Sequence, residues 1–363
     1  RRRSCRHAAD RRWRMTSTDP AVANRPQASA ASADTARLRR RISAVYAVLG
    51  LAIVVQAATG RLDSPGAALP IVLGALTWVV ARRVPAGLVL RTHATVMLAA
   101  AMVAVLSLVV GLPGVLGDAS SFYALKAQVT TPIGDHNELA GWLLVAVAFV
   151  AGVRTRRSMA LAVLAAGLGA TLSRGALVAG LVAFGVGWLI GLDRTMLRRL
   201  LNALVVAGAI VLGAVALLDT TAPADGPTSS AAARAALWGV AVDDIVAEPL
   251  LGVGLGSFED TATDVEGPHH HAHNGTLHSL AELGLLAGAL AALRLPLATW
   301  ILLRRGATYR AQAAGLGGLV LLAHDQVEAL ALRPVYEMLV AALLALAVRE
   351  LAGRPAARET AIG

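Results

Sequence analysis

Charge is scarce in this sequence: 15% of its 363 residues are Asp, Glu, Lys or Arg, against roughly 25% in ordinary soluble domains. With 56% hydrophobic residues and a mean hydropathy of +0.63, the chain cannot hide its apolar mass in one water-soluble core. Aromatics are scarce too, at 4%. The apolar mass is therefore Ala, Leu, Val and Gly, the residues that pack helix against helix in lipid. A single cysteine, Cys5, excludes any disulfide within the chain. Acidic side chains are outnumbered, 23 against 33 Lys and Arg, for a net charge of +10. Spread over a soluble domain, that excess would suggest nucleic acid. Here the arginines come in small clusters between apolar runs, as positive-inside anchoring requires, which points to membrane lipids and away from nucleic acid.

Residues 1–41 carry twelve arginines and no apolar core. They are expected to form a disordered basic cytoplasmic tail, neither signal peptide nor span, with anionic lipid as its contact. Met15 offers a more ordinary start, which would leave residues 1–14 outside the protein. Runs of the length a bilayer demands, about 20 residues, then fall at 42–59, 65–81, 93–112, 138–153, 158–173, 175–192, 200–218, 276–303, 312–332 and 335–348. The expected fold class is all-α: a polytopic helical membrane protein of about ten spans, one transmembrane domain over 42–349, and a cytoplasmic tail over 350–363.

The loops fix an orientation. Arg82, Arg83 and Arg91 share one loop, Arg154, Arg156 and Arg157 a second, Arg194, Arg198 and Arg199 a third, and Arg304, Arg305 and Arg310 a fourth. Arg349, Arg354 and Arg358 close the chain. With both ends inside, all these clusters fall on the cytoplasmic face, while Arg61, Lys126, Arg174, Arg234 and Arg333 fall outside. Residues 158–192 must cross twice. As one helix they would be about 52 Å long, far beyond a ~30 Å hydrocarbon core, and would put flanking arginine clusters on opposite faces. The expected turn lies at Ser173–Arg174. Arg294 and Pro296 interrupt the eighth span, and the expectation there is a kink at Pro296 with Arg294 snorkelling inward.

The long outer loop, 219–275, begins with an irregular stretch from Asp219 to Ser230. Residues 231–247 then carry Leu237, Trp238, Ala241, Val242 and Ile245 at helical spacing, which suits a helix lying on the membrane surface until Pro249 ends it. The loop holds nine acids and one base, Arg234. For Arg234 and Arg174 two readings stand side by side: interfacial anchors, or a rigid guanidinium fork placed for an anion such as pyrophosphate. His269, His270, His271 and His273 form a run that could bind metal, but flexible sequence does not supply fixed ligand geometry. The first three read as solvated loop residues. His273 differs, because Asn274, His278 and Glu282 follow at helical spacing and make one polar face where the chain enters the membrane. Gly252, Gly254 and Gly256 follow no strand, so tight turning accounts for them better than dinucleotide binding. His324, Asp325 and Glu328 either line the same outer cavity or pair as structural glue.

Taken in order, these residues resemble a known family. Gly134–Leu139 with its Asn137, Thr171-Leu-Ser-Arg-Gly-Ala176, Arg234 with Trp238, Glu248-Pro-Leu-Leu-Gly-Val-Gly254 and Phe258 come first. His273-Asn274, Leu277, Glu282-Leu-Gly284, Ala323-His-Asp325 and Pro334 complete the set. Over about residues 130–345 the chain is similar to the O-antigen ligase and polymerase superfamily. That resemblance implies a membrane glycosyltransferase of the GT-C class in the bacterial plasma membrane, its site facing outward. Such an enzyme takes a glycan from an undecaprenyl-pyrophosphate carrier and passes it to an acceptor hydroxyl on a glycan, lipid or protein. It implies Arg174 and Arg234 on the pyrophosphate, His273 toward the acceptor, Asn274, His278, Glu282 and Asp325 in support, and no metal or other cofactor. Independently of the family, arginines stabilise charge on a departing pyrophosphate, and an imidazole can take a hydroxyl proton near neutral pH. A single displacement would invert the anomeric centre. The competing reading is a secondary transporter of a small anion, but no internal repeat is seen and the polar groups gather at one face, not mid-membrane.

Overall fold

The apolar runs fold as helices in this computed structural model, which describes residues 25–118, 122–127, 129, 135–152, 158–218, 230–263, 265, 271–306 and 308–352. Among the described residues there is no strand. The helices are α1 (Arg25–Ala58), α2 (Leu69–Ala81), α3 (Ala86–Asp118), α4 (Phe122–Ala127), α5 (His136–Ala151), α6 (Ser158–Ala170), α7 (Arg174–Leu189), α8 (Arg194–Leu217), α9 (Ser230–Ala247), α10 (Phe258–Thr261), α11 (Gly275–Arg305), α12 (Tyr309–Asp325) and α13 (Pro334–Ala352). Four of these helices, α1, α3, α8 and α11, are long and apolar enough to cross a membrane by length and composition. Helices α5, α6 and α7 are apolar but shorter, at 16, 13 and 16 residues. One expectation is corrected at the start: residues 25–41, read as irregular tail, are helical and continuous with α1. Their alanines and arginines are good helix formers, so an apolar helix downstream extends through them.

Helix α5 is buried from Glu138 through Ala151. A helix apolar on every side belongs inside a bundle, and α5 is packed by α3, α6 and α12. Small residues allow the close approach: Gly317 of α12 lies against Phe149, and Gly167 of α6 against Ala101 of α3. The chain breaks between α6 and α7 at Thr171–Ser173, where Leu172 takes φ 53° and the Ser173 hydroxyl accepts from the Ala176 amide at 3.4 Å. Gly180 and Gly187 of α7 meet Leu204 and Leu197 of α8, so those two helices run antiparallel. Gly169, at the end of α6, meets Ala207 and Ile210. Residues 158–189 therefore run out and back as two helices.

The bundle has two distinct ends. At one, Arg199 donates to the Ala151 carbonyl at 2.9 Å, Tyr309 donates to Asp193 at 3.2 Å, and Thr308 bonds Glu350. This end collects Arg194, Arg198, Arg199, Arg304, Arg305, Arg310 and Arg349. The other end collects the N-termini of α5, α7, α11 and α13 and the C-termini of α1, α6, α8 and α12.

Helix α11 breaks, but not where proline suggested. The non-helical residue is Gly284, at φ 76° and ψ 173°. The break frees the Ala281 and Glu282 carbonyls, and the 249–256 loop takes them: Val253 N donates to Ala281 O at 2.9 Å and Gly254 N to Glu282 O at 3.2 Å. Leu285 N in turn donates to Pro249 O at 2.8 Å. The three glycines 252, 254 and 256 all have positive φ, and a Cβ at Gly252 would meet the Glu282 carbonyl. Turning accounts for that run. Gln56 of α1 clamps the junction, donating to the Leu251 and Glu282 carbonyls at 2.8 and 2.7 Å.

Arg294 does not snorkel. Its guanidinium makes a bidentate pair with Glu337 of α13 at 2.6 and 2.7 Å, both side chains buried, with the Tyr46 ring 5.3 Å from its Cζ. Gly74 of α2 leaves room beside Glu337 for that pair. Removing one partner of a buried pair strands the other's charge, at about 3–5 kcal/mol, whereas replacing both by apolar groups can be near neutral. Arg294→Met and Glu337→Leu alone should therefore each lower the melting temperature of detergent-solubilised protein. The double variant should recover most of the loss, which thermal unfolding of all three checks.

Candidate functional site at the helix-start end

Glu328 is the centre of the second end of the bundle. It follows α12 in the turn 326–333, is 2% exposed in its side chain, and meets three residues from two other segments. Its Oε1 lies 3.1 Å from Nε2 of His271 and 2.9 Å from Nδ1 of His273. Its Oε2 lies 3.8 Å from Nη2 of Arg234 on α9. Burial alone would push this carboxyl upward, but the bonds from His271 and His273 outweigh it and hold Glu328 well below the usual carboxylate range. A carboxylate only accepts, so both imidazoles donate to it.

The turn is shaped by its own backbone. Asp325 Oδ1 accepts from the Leu330 and Ala331 amides at 2.9 and 2.8 Å, and Leu332 takes φ 63°. Arg333 then reaches Glu138 at 2.9 Å through Nε and Nδ1 of His271 at 3.4 Å through Nη2. His273 itself has φ 49°. Asn274 caps α11, accepting from the Leu277 amide at 3.0 Å and donating to the Gln326 carbonyl at 3.4 Å. The three non-glycine residues with positive φ among those described thus flank or are site residues: Leu172 before Ser173–Arg174, His273, and Leu332 before Arg333. Strain of this kind gathers where surrounding structure over-determines a conformation, often at functional sites.

Arg174 opens α7 with its Cζ 5.7 Å from the Phe122 ring, and its neighbour Gly175 lies against Val327, one residue from Glu328. Lys126 of α4, the chain's single lysine, feels Glu328, Arg174, Arg234 and Asp135 together. Burial pushes its ammonium down to about 8, with the two arginines adding to that push and Glu328 opposing it. Of the residues expected in the site, Arg174, Arg234 and His273 thus converge. His278, Glu282 and Asp325 do something else. His278 is buried between the Phe258 and His271 rings, at 5.5 and 6.4 Å. Glu282 Oε1 accepts from the Gly256 amide at 3.1 Å and so holds the glycine turn.

His271 corrects the reading of a solvated run, since it is mostly buried and bound to Glu328; burial lowers its basicity, so it stays neutral. His269 and His270 lie outside the described residues, as does the stretch 219–229. His271 and Lys126 are the participants that sequence reasoning did not place in the site, while Glu328, read there as either lining the outer cavity or structural glue, is bonded to His271 and His273. The outward clustering of Lys126 and Arg333 was the available signal. The ligating atoms of His271, His273 and Glu328 lie within 4.8 Å of one another, a spacing a divalent ion could bridge. Arg234 and Arg333 flank that trio, however, and oppose a further cation there.

Residues 159–292 match the family model described as O-antigen ligase. Over that segment the chain is O-antigen ligase-like. The matched segment runs from α6 into α11 and contains Arg174, Arg234 and His273; Glu328 lies beyond it. The match and the apolar helices together support a multi-pass membrane protein with a segment similar to the O-antigen ligase family. No curated protein matches the chain.

The cation cluster predicts a pH dependence. Lys126 is charged below about 8 and neutral above it, so affinity for inorganic pyrophosphate should weaken as pH rises through that value. Calorimetric titration from pH 7 to 9 checks it, with Lys126→Met removing the step and controlling for ionisation of the ligand.

Proposed function

We propose that this protein is an inverting, metal-independent glycosyltransferase that moves a glycan from an undecaprenyl-pyrophosphate carrier to an acceptor hydroxyl on the outer face of the bacterial plasma membrane. The observation that carries it is the meeting of Arg174, Arg234, Lys126 and the His273–Glu328 pair at one end of the bundle, opposite the arginine clusters. Four helix N-termini point to the same end, and their partial positive charges favour an anion. In this reading α1, α2, α3, α5, α6, α7, α8, α11, α12 and α13 make ten crossings with both ends inside. Helix α9 lies on the outer surface. Its Leu237 and Ala241 face a small core with Phe258 and Ala281, while Trp238, Val242 and Val246 stay exposed at four-residue spacing, which suits lipid.

The chemistry follows from placement. The acceptor oxygen attacks the anomeric carbon, the bond to the pyrophosphate oxygen breaks, and His273 takes the acceptor proton. Negative charge grows on the leaving pyrophosphate, where Arg174 and Arg234 stabilise it. One displacement inverts the configuration. An anion transporter would place its polar groups near mid-membrane; here they sit at one end, which favours the enzyme.

Orientation is tested first. Reporter fusions after Arg198 and Arg305 should read cytoplasmic and one near Asp225 external. A cytoplasmic reading at Asp225 would overturn the outward-facing site.

The transfer reading is tested in a deletion strain, which should accumulate carrier-linked glycan. Arg174→Ala and Arg234→Ala should each restore little flux, with about 2–4 kcal/mol lost from the leaving-group step, roughly 30- to 1000-fold. Lysine at either position should rescue only in part, because an ammonium lacks the bidentate fork. His273→Ala should lose roughly 10²–10⁴-fold, and transfer by isolated membranes should survive EDTA. Absence of carrier-linked glycan in the deletion strain would sink the assignment.

A further inference from the structure

Each nitrogen of His271 is committed: Nε2 meets Glu328 at 3.1 Å and Nδ1 meets Nη2 of Arg333 at 3.4 Å. An arginine only donates, so Nδ1 of His271 accepts and Nε2 carries the proton. His273 is different. Its Nδ1 meets the same Glu328 oxygen at 2.9 Å, and among the described residues nothing is bonded to its Nε2. The two imidazoles lie with ring centroids 4.5 Å apart, so the oxygen they share also fixes their mutual placement. The left-handed backbone at His273, just before the α11 cap, sets the direction from which that ring approaches.

We propose that Glu328 is the positioning residue of this site: it holds His273 as the Nδ1–H tautomer and leaves Nε2 to take the acceptor proton. The inference rests on the reading of His273 as the base. A carboxylate that accepts from one imidazole nitrogen orients the ring, fixes which nitrogen is free, and stabilises the imidazolium that forms when the proton arrives. The acceptor O–H bond breaks, a new N–H bond forms at Nε2, and the positive charge formed faces Glu328 across the Nδ1–H bond. The proton does not move on to Glu328. The charged and titratable groups around Glu328 are Arg234 from α9, Lys126 from α4, His136 and Glu138 from α5, His324 from α12, and His271 and His273. Of these, His271 and His273 are the ones bonded to its Oε1. The second oxygen faces Arg234, so a single side chain stands between the residue assigned to the leaving group and the residue assigned to the acceptor.

The test reads the tautomer directly and the flux separately. Full-length protein labelled with ¹⁵N-histidine is studied in detergent at pH 7, with the His273 signals assigned by their loss in His273→Gln. The wild type should show protonated Nδ1 and unprotonated Nε2 at His273. Protonated Nε2 there would overturn the proposal without recourse to any variant. Glu328→Gln should mix or reverse the tautomers and cut glycan flux in the complemented deletion strain by at least about tenfold, with folded protein in the membrane checked first. In isolated membranes its pH–rate profile should shift its acid limb to lower pH, because an anion removed from beside an imidazole makes imidazolium harder to form. Glu328→Asp should recover part of both signals. Wild-type flux in Glu328→Gln alongside impaired His273→Ala would refute the positioning role and leave the base standing. Wild-type flux in His273→Ala would refute the base itself, whatever Glu328 does.

Discussion

A carboxylate shut away from water among helix ends must find partners of opposite charge or strong donors, since an uncompensated buried charge costs several kcal/mol. Glu328 is in that position, and much of this end of the molecule is arranged to meet it. Arg234 comes from a surface helix, His271 and His273 from the loop leading into α11, and the turn that carries Glu328 is built on the carboxylate of Asp325. Gly275 makes the last approach possible, because a Cβ there would collide with the Asp325 carboxylate. The loop, the cap and the turn therefore form one unit, and shifting any of them moves the imidazoles.

A second constraint joins that unit to the first helix. Breaking α11 at Gly284 leaves carbonyls and an amide with no partner along the helix, and backbone groups left bare at such depth are costly. The 249–256 loop fills the gap with its own amides and carbonyl, and Gln56 and Arg61 of the α1 end hold that loop in place, Arg61 through Glu248 and the Gly252 carbonyl, each at 2.8 Å. Trading helical bonds for loop bonds keeps the count satisfied while giving α11 a bend. That bend positions the nine residues between the Asn274 cap and Gly284, the ones nearest the site.

The helices were legible because a bilayer demands long apolar runs, and the turn at Thr171–Ser173 was legible because a single helix would have been too long. In the sequence Arg174 and Arg234 stood out as guanidiniums where few were expected and His273 as the head of a polar face at helical spacing, and the structure brings the three to one end of the bundle. What escaped the sequence was partnership across distance. Glu328 lies 55 residues from His273, and Glu337 lies 43 from Arg294, so neither pair leaves a local pattern. His271 looked like one of a run of solvated histidines, yet it reaches inward to Glu328, two positions before the backbone turns left-handed at His273. Pro296 was the obvious place for a kink. Proline is tolerated within membrane helices when neighbours satisfy the freed carbonyl, and Gly284 was chosen instead because a loop inserts there. Glu282 read as lining a site, and Asp325 as either lining the cavity or structural glue; buried carboxylates serve equally well as anchors for backbone amides, and only geometry separates the uses.

Charge balance completes the account of the site end. Arg174, Arg234, Lys126 and Arg333 would repel one another strongly in a medium of low dielectric. Glu328 faces Arg234 and Lys126, and Glu138 binds Arg333, which makes the cluster tolerable without neutralising it. Glu328 spends one oxygen on two imidazoles, leaving the other to Arg234 at the loose distance of 3.8 Å. Four cations set against three carboxylates, Glu328, Glu138 and Asp135, beneath four helix N-termini, leave a surplus of positive potential. A small monovalent anion would offset only part of that surplus and would leave most of the donors unused. A pyrophosphate, with several oxygens over a few ångströms, can engage separate guanidinium forks at once. The spread of cations over α4, α7 and α9 thus matches an extended anion better than a compact one.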